Sequence, residues 1–270
     1  AASHSFIKAK LNDCIANHAL CAAAAGSGFL PTRILEILPH KTRVSPAAVR
    51  LVNGRQVTGM YATLSHCWGR APICRLLTTN HGDFERGVDL TTLPTTFRQT
   101  VGVAYFLGIP CIWIDLLCIV QNSATDWEAE SAAIAKVYGQ ALVNIAAASS
   151  SDSRGGLFFD RDPDAVQPFT VYTPGSGTLG EGWYTWKDDS RWSRLGQEPL
   201  HRRGWVLQER PLSPRTIHFA KSEIFWHCLR MWAANQSRPG FRTVQRTRTP
   251  LALLDRSTTT PTSGRRRPKC

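Results

Sequence analysis

The hydrophobic positions of this chain fall into runs whose length and spacing predict distinct elements. Ile7, Leu11, Ile15 and Ala19 recur every four residues, which predicts a short amphipathic helix within the first 30 residues. The break at Gly26-Ser27-Gly28 ends it. Leu30 to Ile37 and Val49 to Val52 read as a β pair, and Tyr61 to Cys67 as the first strongly buried strand. From Leu93 to Leu107 the pattern turns helical, with Pro94 in the first turn and Gly108 as the stop. Ile112 to Val120 predicts another strand, Asp126 to Tyr138 another helix, and Ala141 to Ala148 a further strand. Strands alternating with helices in this order predict an α/β fold with a parallel-sheet core and right-handed crossovers.

Beyond Ser149 to Gly156 the texture changes to Pro, Gly and Trp among short strands. Thr216 to Phe219 and Glu223 to Cys228 read as a hairpin across Ala220-Lys221-Ser222. Arg203 to Arg215 reads as architectural, with Trp205 and Leu207 buried and Gln208, Glu209 and Arg215 as polar links. The expected organisation is a helical lead-in at 1–30 and a domain at 31–240, followed by a tail at 241–270. Within the domain, a core at about 49–150 carries an α+β C-terminal extension, packed on the sheet, at about 151–240.

Composition narrows the class. The chain has 270 residues, 43% of them hydrophobic, enough for a proper core, and no internal repeat. No stretch approaches the ~20 apolar residues of a membrane span. Ala19 to Gly26 is too short for one and has no basic run before it, so no secretory signal is indicated, and a cytoplasmic location is expected. Several of the eight cysteines sit inside apolar runs, where reduced, buried thiols and no structural disulfide are expected. The net charge of +12 invites a nucleic-acid reading, but nine basic residues against one acidic from Arg238 onward account for +8, leaving +4 for the rest. The basicity belongs to a tail without apolar periodicity, expected to be disordered and solvated, so nucleic acid is not the expected partner. The missing initial Met and the odd C-terminus are expected to mark a fragment or an altered end.

The motifs lie where strands give way to loops or helices. Tyr61-Ala62-Thr63-Leu64-Ser65-His66-Cys67-Trp68-Gly69 is followed by Leu93-Pro94-Thr95-Thr96-Phe97 and by Leu107-Gly108-Ile109-Pro110-Cys111-Ile112-Trp113-Ile114-Asp115-Leu116-Leu117-Cys118-Ile119-Val120-Gln121. Asp126-Trp127-Glu128-Ala129-Glu130, Tyr138-Gly139-Gln140-Ala141, the Arg203 to Arg215 segment and Phe225-Trp226-His227-Cys228 complete the series. In this order the motifs resemble the fungal heterokaryon incompatibility (HET) domain, over about Cys14 to Gly240. The resemblance implies an effector of non-self recognition and programmed cell death, activated by a protein partner or by self-assembly. Leu116 stands where the family usually carries Ser, and Asn235-Gln236 where it usually has an acidic residue nearby.

Ser65, Cys67 and Gly69 either form a ligand floor at the carboxyl edge of the sheet or simply a strand exit beside a packed Trp68. A cysteine-protease reading of Ser65-His66-Cys67 is disfavoured because adjacent strand residues point to opposite faces. Asp115, in an apolar run, must find a partner and is either a buried anchor or a site residue. Glu128 fits a capping box from Thr125, whereas Glu130, expected in the first turn, either hangs over the sheet edge or is solvated. A weaker resemblance, to the TIR domain and its flavodoxin-like fold, implies NAD as a substrate and Glu130 as the catalytic carboxylate. Ser65, Cys67, Trp68, Gly69, Asp115 and Trp127 would then surround the ligand. The alternative is a non-catalytic adaptor whose edge residues shape an interface. No glycine-rich dinucleotide fingerprint occurs, so no redox cofactor is expected. Cys14, His18 and Cys21 share one helical face and are weak metal candidates, which Cys74, His40 or Cys228 could complete; packed thiols are the competing reading.

Overall fold

The computed structural model describes residues 2–24, 28–40, 45–69, 74–161, 169–176, 179–186, 191–202 and 212–235. The chain divides into two units, Ala1–Pro168 with Lys187–Gly240, and Phe169–Trp186 with Phe241–Cys270.

The larger unit begins with α1 (Ala2–Asn17) and α2 (Ala19–Ala24), then β1 (Arg33–Pro39), β2 (Pro46–Asn53) and β3 (Tyr61–Ser65). Next come α3 (His81–Arg86), β4 (Val88–Asp89), α4 (Thr95–Phe106), β5 (Cys111–Trp113), α5 (Asp115–Cys118), α6 (Ala124–Gln140) and β6 (Val143–Ala146). The smaller unit holds an antiparallel pair, β7 (Phe169–Ser176) and β8 (Leu179–Trp186). The larger unit then closes with α7 (Arg191–Gly196), the 3-10 turn Pro199–Arg202, β9 (Arg215–Phe219), β10 (Ile224–Cys228) and β11 (Trp232–Ala234).

The larger unit is mixed α/β, built on a nine-stranded sheet in the order β11-β10-β9-β6-β3-β5-β1-β2-β4. Parallel pairing is confined to the centre, where β5, β3, β6 and β9 run together; the five other pairings are antiparallel. The expected all-parallel core is thus present only in part. Burial follows the pairing. Every residue of β3, β5, β6 and β9 is buried, as in strands covered on both faces, while β2 mixes buried and exposed positions. The expected extension also differs, because β9, β10 and β11 continue the same sheet edge to edge instead of packing on its face.

The helices between the parallel strands are anchored by side chains. Helix α4 turns Phe97, Val101, Val103 and Ala104 inward, and Gly108, at φ 75°, ends it by donating its N–H to the Tyr105 carbonyl at 3.0 Å. Two tyrosines strap α6 to β3: Tyr61 donates to the Val137 carbonyl at 2.7 Å and Tyr138 to the Leu64 carbonyl at 3.2 Å. Buried hydroxyls that find acceptors add packing without an unpaired-group penalty.

Three local expectations are corrected. The strand expected over Ile112 to Val120 stops at Trp113, because Asp115 opens the helical turn α5 and its carboxylate accepts the Leu116 N–H at 2.7 Å. Helix α6 starts earlier than Asp126, capped by Ser123, whose hydroxyl accepts the Asp126 N–H; Thr125 bonds Ser123 instead of capping. On α1 the buried stripe is Ile7, Leu11 and Cys14, while Ile15 is 44% exposed. A strict spacing of four drifts around a helix of 3.6 residues per turn, so the third contact moves back by one position. Of the segment from Arg203 to Arg215, residues 203–211 lie outside the described residues, as does the basic tail; Arg215 itself is buried at the start of β9. Among the described residues no helix is long and apolar enough to cross a membrane.

The corrected stripe is open to test by denaturant unfolding. Ile7→Ala is expected to cost about 2–4 kcal/mol and Ile15→Ala no more than about 0.5 kcal/mol. Equal losses at the two positions would contradict the packing.

Candidate functional site

Parallel strands deliver their carboxyl ends to one edge of a sheet. Taken in chain order, the four parallel strands lie second, first, third, fourth, so the chain leaves β3 toward β5 on one side and reaches β6 on the other. The carboxyl ends of β3 and β6 therefore flank the point where strand order reverses, the general location of ligand crevices in open α/β sheets.

Two polar clusters occupy this edge, and they divide the Ser65 to Gly69 motif between them. The first lies across β3, β6 and β9. Asn144, opposite Thr63 in the register, accepts from the Thr63 hydroxyl at 3.1 Å and donates its amide to Ser65 Oγ at 3.0 Å, all three side chains being buried. Ser65, Asn144, Ala146, Leu200, His201, Thr216 and His218 line a small crevice there, with a cavity volume of about 10 Å³. Cys67, two residues beyond Ser65, packs against Ala146 and Leu200 on this side. The imidazoles of His201 and His218 lie 5.3 Å apart, between centroids.

The second cluster gathers around Asp115. Trp68 donates its indole N–H to Asp115 Oδ2 at 2.8 Å, and His66 Nδ1 lies 3.7 Å from Oδ1. Asp115 is therefore held by Trp68 and its neighbouring amide, and remains partly exposed. His66 meets Phe97 edge-on at 5.0 Å. Gly69 marks the exit: its φ is 77°, and a Cβ there would fall 2.4 Å from Asp152 Cβ. Only glycine meets both demands.

Glu130 is placed elsewhere. It stands in the second turn of α6, not the first, and is buried. Arg33 of β1 reaches under the helix, donating Nε–H to the Cys118 carbonyl at 2.8 Å and lying 2.5 Å from Asp126 and 3.6 Å from Glu130. Asp126 also accepts the Val120 N–H at 2.8 Å, so one guanidinium ties β1 to both α5 and α6. Burial pushes the Glu130 carboxyl above its ordinary range, against the opposing pull of a Thr32 hydrogen bond and Arg33. Glu128 and Trp127 lie on the outer face of the helix, Trp127 being 41% exposed.

The structure thus brings Ser65 together with Cys67, and Trp68 with Asp115, while Glu130 engages Arg33 and Thr32. Sequence reasoning missed Asn144, His201, Thr216 and His218. Asn144 did carry a signal, as a polar residue inside the apolar run Ala141 to Ala148. Cys14, His18 and Cys21 also meet in space, joined by Cys228, with their ligand atoms all within 4.8 Å of one another.

A family model described as Heterokaryon incompatibility protein (HET) matches residues 61–209, just over half of the chain. The match spans β3 through α6 and β6, the elements that build the edge. No curated protein and no solved structure matches the chain.

The Arg33 clamp assigns opposite consequences to its two acids. Removing Asp126 strips Arg33 and the Val120 amide of an acceptor, so Asp126→Ala is expected to cost about 2–3 kcal/mol. Glu130 has its pKa raised by the fold, so its contribution is present below the unfolded value and lost as pH rises through the folded one. Glu130→Gln, which resembles the protonated form, is expected to match the parent in acid and to exceed its stability at neutral pH. Urea unfolding of parent and variant across pH reads this directly; a neutral-pH penalty that shrinks in acid would contradict the sign.

Proposed function

The chain belongs to the heterokaryon incompatibility (HET) family, and on that basis we propose that it is a cytoplasmic effector of fungal non-self recognition, set off by a protein partner or by self-assembly and leading to cell death. Its chemistry is the cleavage of NAD at the nicotinamide–ribose bond. The observation that carries a chemical role is the placement of two polar clusters, Ser65 with Asn144 and Trp68 with Asp115, at the carboxyl ends of adjacent parallel strands, where strand order reverses. The order of the four central strands agrees with a TIR/flavodoxin-like core, which is the basis for NAD as substrate.

Breaking the bond between nicotinamide and ribose develops oxocarbenium-like positive charge, and a fixed carboxylate stabilises it. Glu130 fills that role in this reading, as the TIR resemblance implies, from its place beside Arg33 and Thr32 on α6, while Asp115 and Ser65 are polar groups along the edge and Trp68 or Trp127 offers a ring for stacking. Burial of Glu130 supports the choice, because a desolvated carboxylate interacts more strongly with a nearby developing charge than a solvated one does.

A second reading has its own observation. Glu130 is engaged by Arg33, and the crevice, with a cavity volume of about 10 Å³, has room for little more than one water and is far smaller than the ~300–1,000 Å³ usual for small-molecule sites. In that reading the chain is an adaptor, the Arg33 clamp is structural, and the edge residues shape an interface with a partner or another copy.

NAD consumption and nicotinamide release by the concentrated or artificially clustered chain separate the two. Turnover by the parent is expected to fall at least about 100-fold in Glu130→Gln, with the fold intact by circular dichroism. No turnover by either protein, with assembly retained, would sink the enzymatic reading and leave the adaptor.

A further inference from the structure

Far along the chain from the carboxyl-edge motif, three elements converge on one compact group of soft ligands. Cys14 closes the buried stripe of α1, His18 sits at the junction of α1 and α2, and Cys21 lies buried in α2. Helical bonding runs through the junction: the His18 N–H reaches the Cys14 carbonyl at 3.2 Å, and the Ala22 N–H the His18 carbonyl at 3.0 Å. The three side chains therefore keep the four-and-three spacing that puts them on one face. The fourth ligand, Cys228, comes from the end of β10, and its Sγ is 3.5 Å from His18 Nδ1.

We infer that Cys14, His18, Cys21 and Cys228 form a structural zinc site that clips the N-terminal helices to the β9–β10 hairpin. Ligand bonds of ~2.0–2.3 Å give a tetrahedron with edges of ~3.3–3.8 Å. The 3.5 Å separation already lies in that range, and the others, within 4.8 Å, need only a small contraction. Three thiolates and one imidazole are a ligand set that selects zinc and fills all four positions, leaving none open for catalysis. His18 is partly exposed, which provides an entry route, while the three cysteines are buried.

Charge supplies an independent argument. Arg215 of β9 is 1% exposed, donates Nε–H to Cys14 Sγ at 3.2 Å and bonds the Leu142 carbonyl at 3.2 Å. Among the described residues no carboxylate pairs with it. A buried guanidinium whose contacts are a thiol and a carbonyl gains from a negative charge close by. Three thiolates around a dipositive ion leave one net negative charge, and Arg215 neutralises it while its N–H bonds a metal-bound sulfur, the usual second contact of such sites. Thiolate coordination would give the buried arginine a negative neighbour that packed neutral thiols do not supply.

The clip would join His18 to Cys228 across 210 positions of the chain, so metal binding should register as stability. The test is the metal content of the full chain, expressed with zinc and purified under reducing conditions without chelator. The expected result is close to one zinc per chain, with a cobalt-substituted form showing the intense visible bands of tetrahedral thiolate coordination. A strong chelator is expected to lower Tm by roughly 5–10 °C, restored by zinc. His18→Cys keeps four soft ligands and is expected to retain the metal with an altered cobalt charge-transfer band, whereas Cys21→Ser loses it. A folded parent chain with no zinc, a cobalt spectrum like that of the hydrated ion, or a Cys14–Cys228 disulfide under reducing conditions would each overturn the site. None of these readouts depends on NAD turnover.

Discussion

The parallel run of β5, β3, β6 and β9 is the constraint on which the rest of the larger unit depends. Parallel neighbours cannot be joined by tight turns, so each needs a covering crossover, and α4 and α6 meet that need on the way from β3 to β5 and from β5 to β6. Covering both faces buries every residue of the central strands, which explains why Thr63, Ser65 and Asn144 bond one another. The same geometry sends the residues after β3 and β5 to one edge, where Trp68 and Asp115 find each other although 47 positions separate them.

The edge holds its shape because the loops behind it are tied down. Arg33 reaches from the antiparallel flank to the end of α5 and the start of α6, so the turn that presents Asp115 is fixed by a residue of β1. Ser123 closes the helix start, and Asp126 takes the Val120 amide as well as the guanidinium. Gly69 lets the chain leave β3 against Asp152 without a clash. The Arg33 contacts join elements distant in sequence and satisfy polar groups that would otherwise be costly to bury.

Much of the core was readable from local pattern, because β3, α4, α6 and the β9–β10 hairpin each carry their own periodicity and stop signals. The family was readable too, since motifs rich in rare residues occur in a fixed order. Less readable was whatever depended on a distant partner. An apolar run such as Ile112 to Val120 looks like a long strand until Asp115 nucleates a turn in its middle. Glu130 showed only as an acid on a helix, because nothing nearby in sequence announces Arg33. His201 and His218 lie in segments without a motif and meet at the crevice only through the pairing of β9 with β6. The spacing of Cys14, His18 and Cys21 was visible, whereas the choice of Cys228 over His40 or Cys74 required the fold.

Hydrogen exchange of the full chain with and without saturating NAD tests most directly whether the carboxyl edge of the parallel centre is the ligand site. The expected result is slowed exchange at residues 65–69 and 115–121, with residues 2–24 and 224–234 unchanged. Slowing confined to those distant segments, or no slowing anywhere, would contradict a ligand site at this edge.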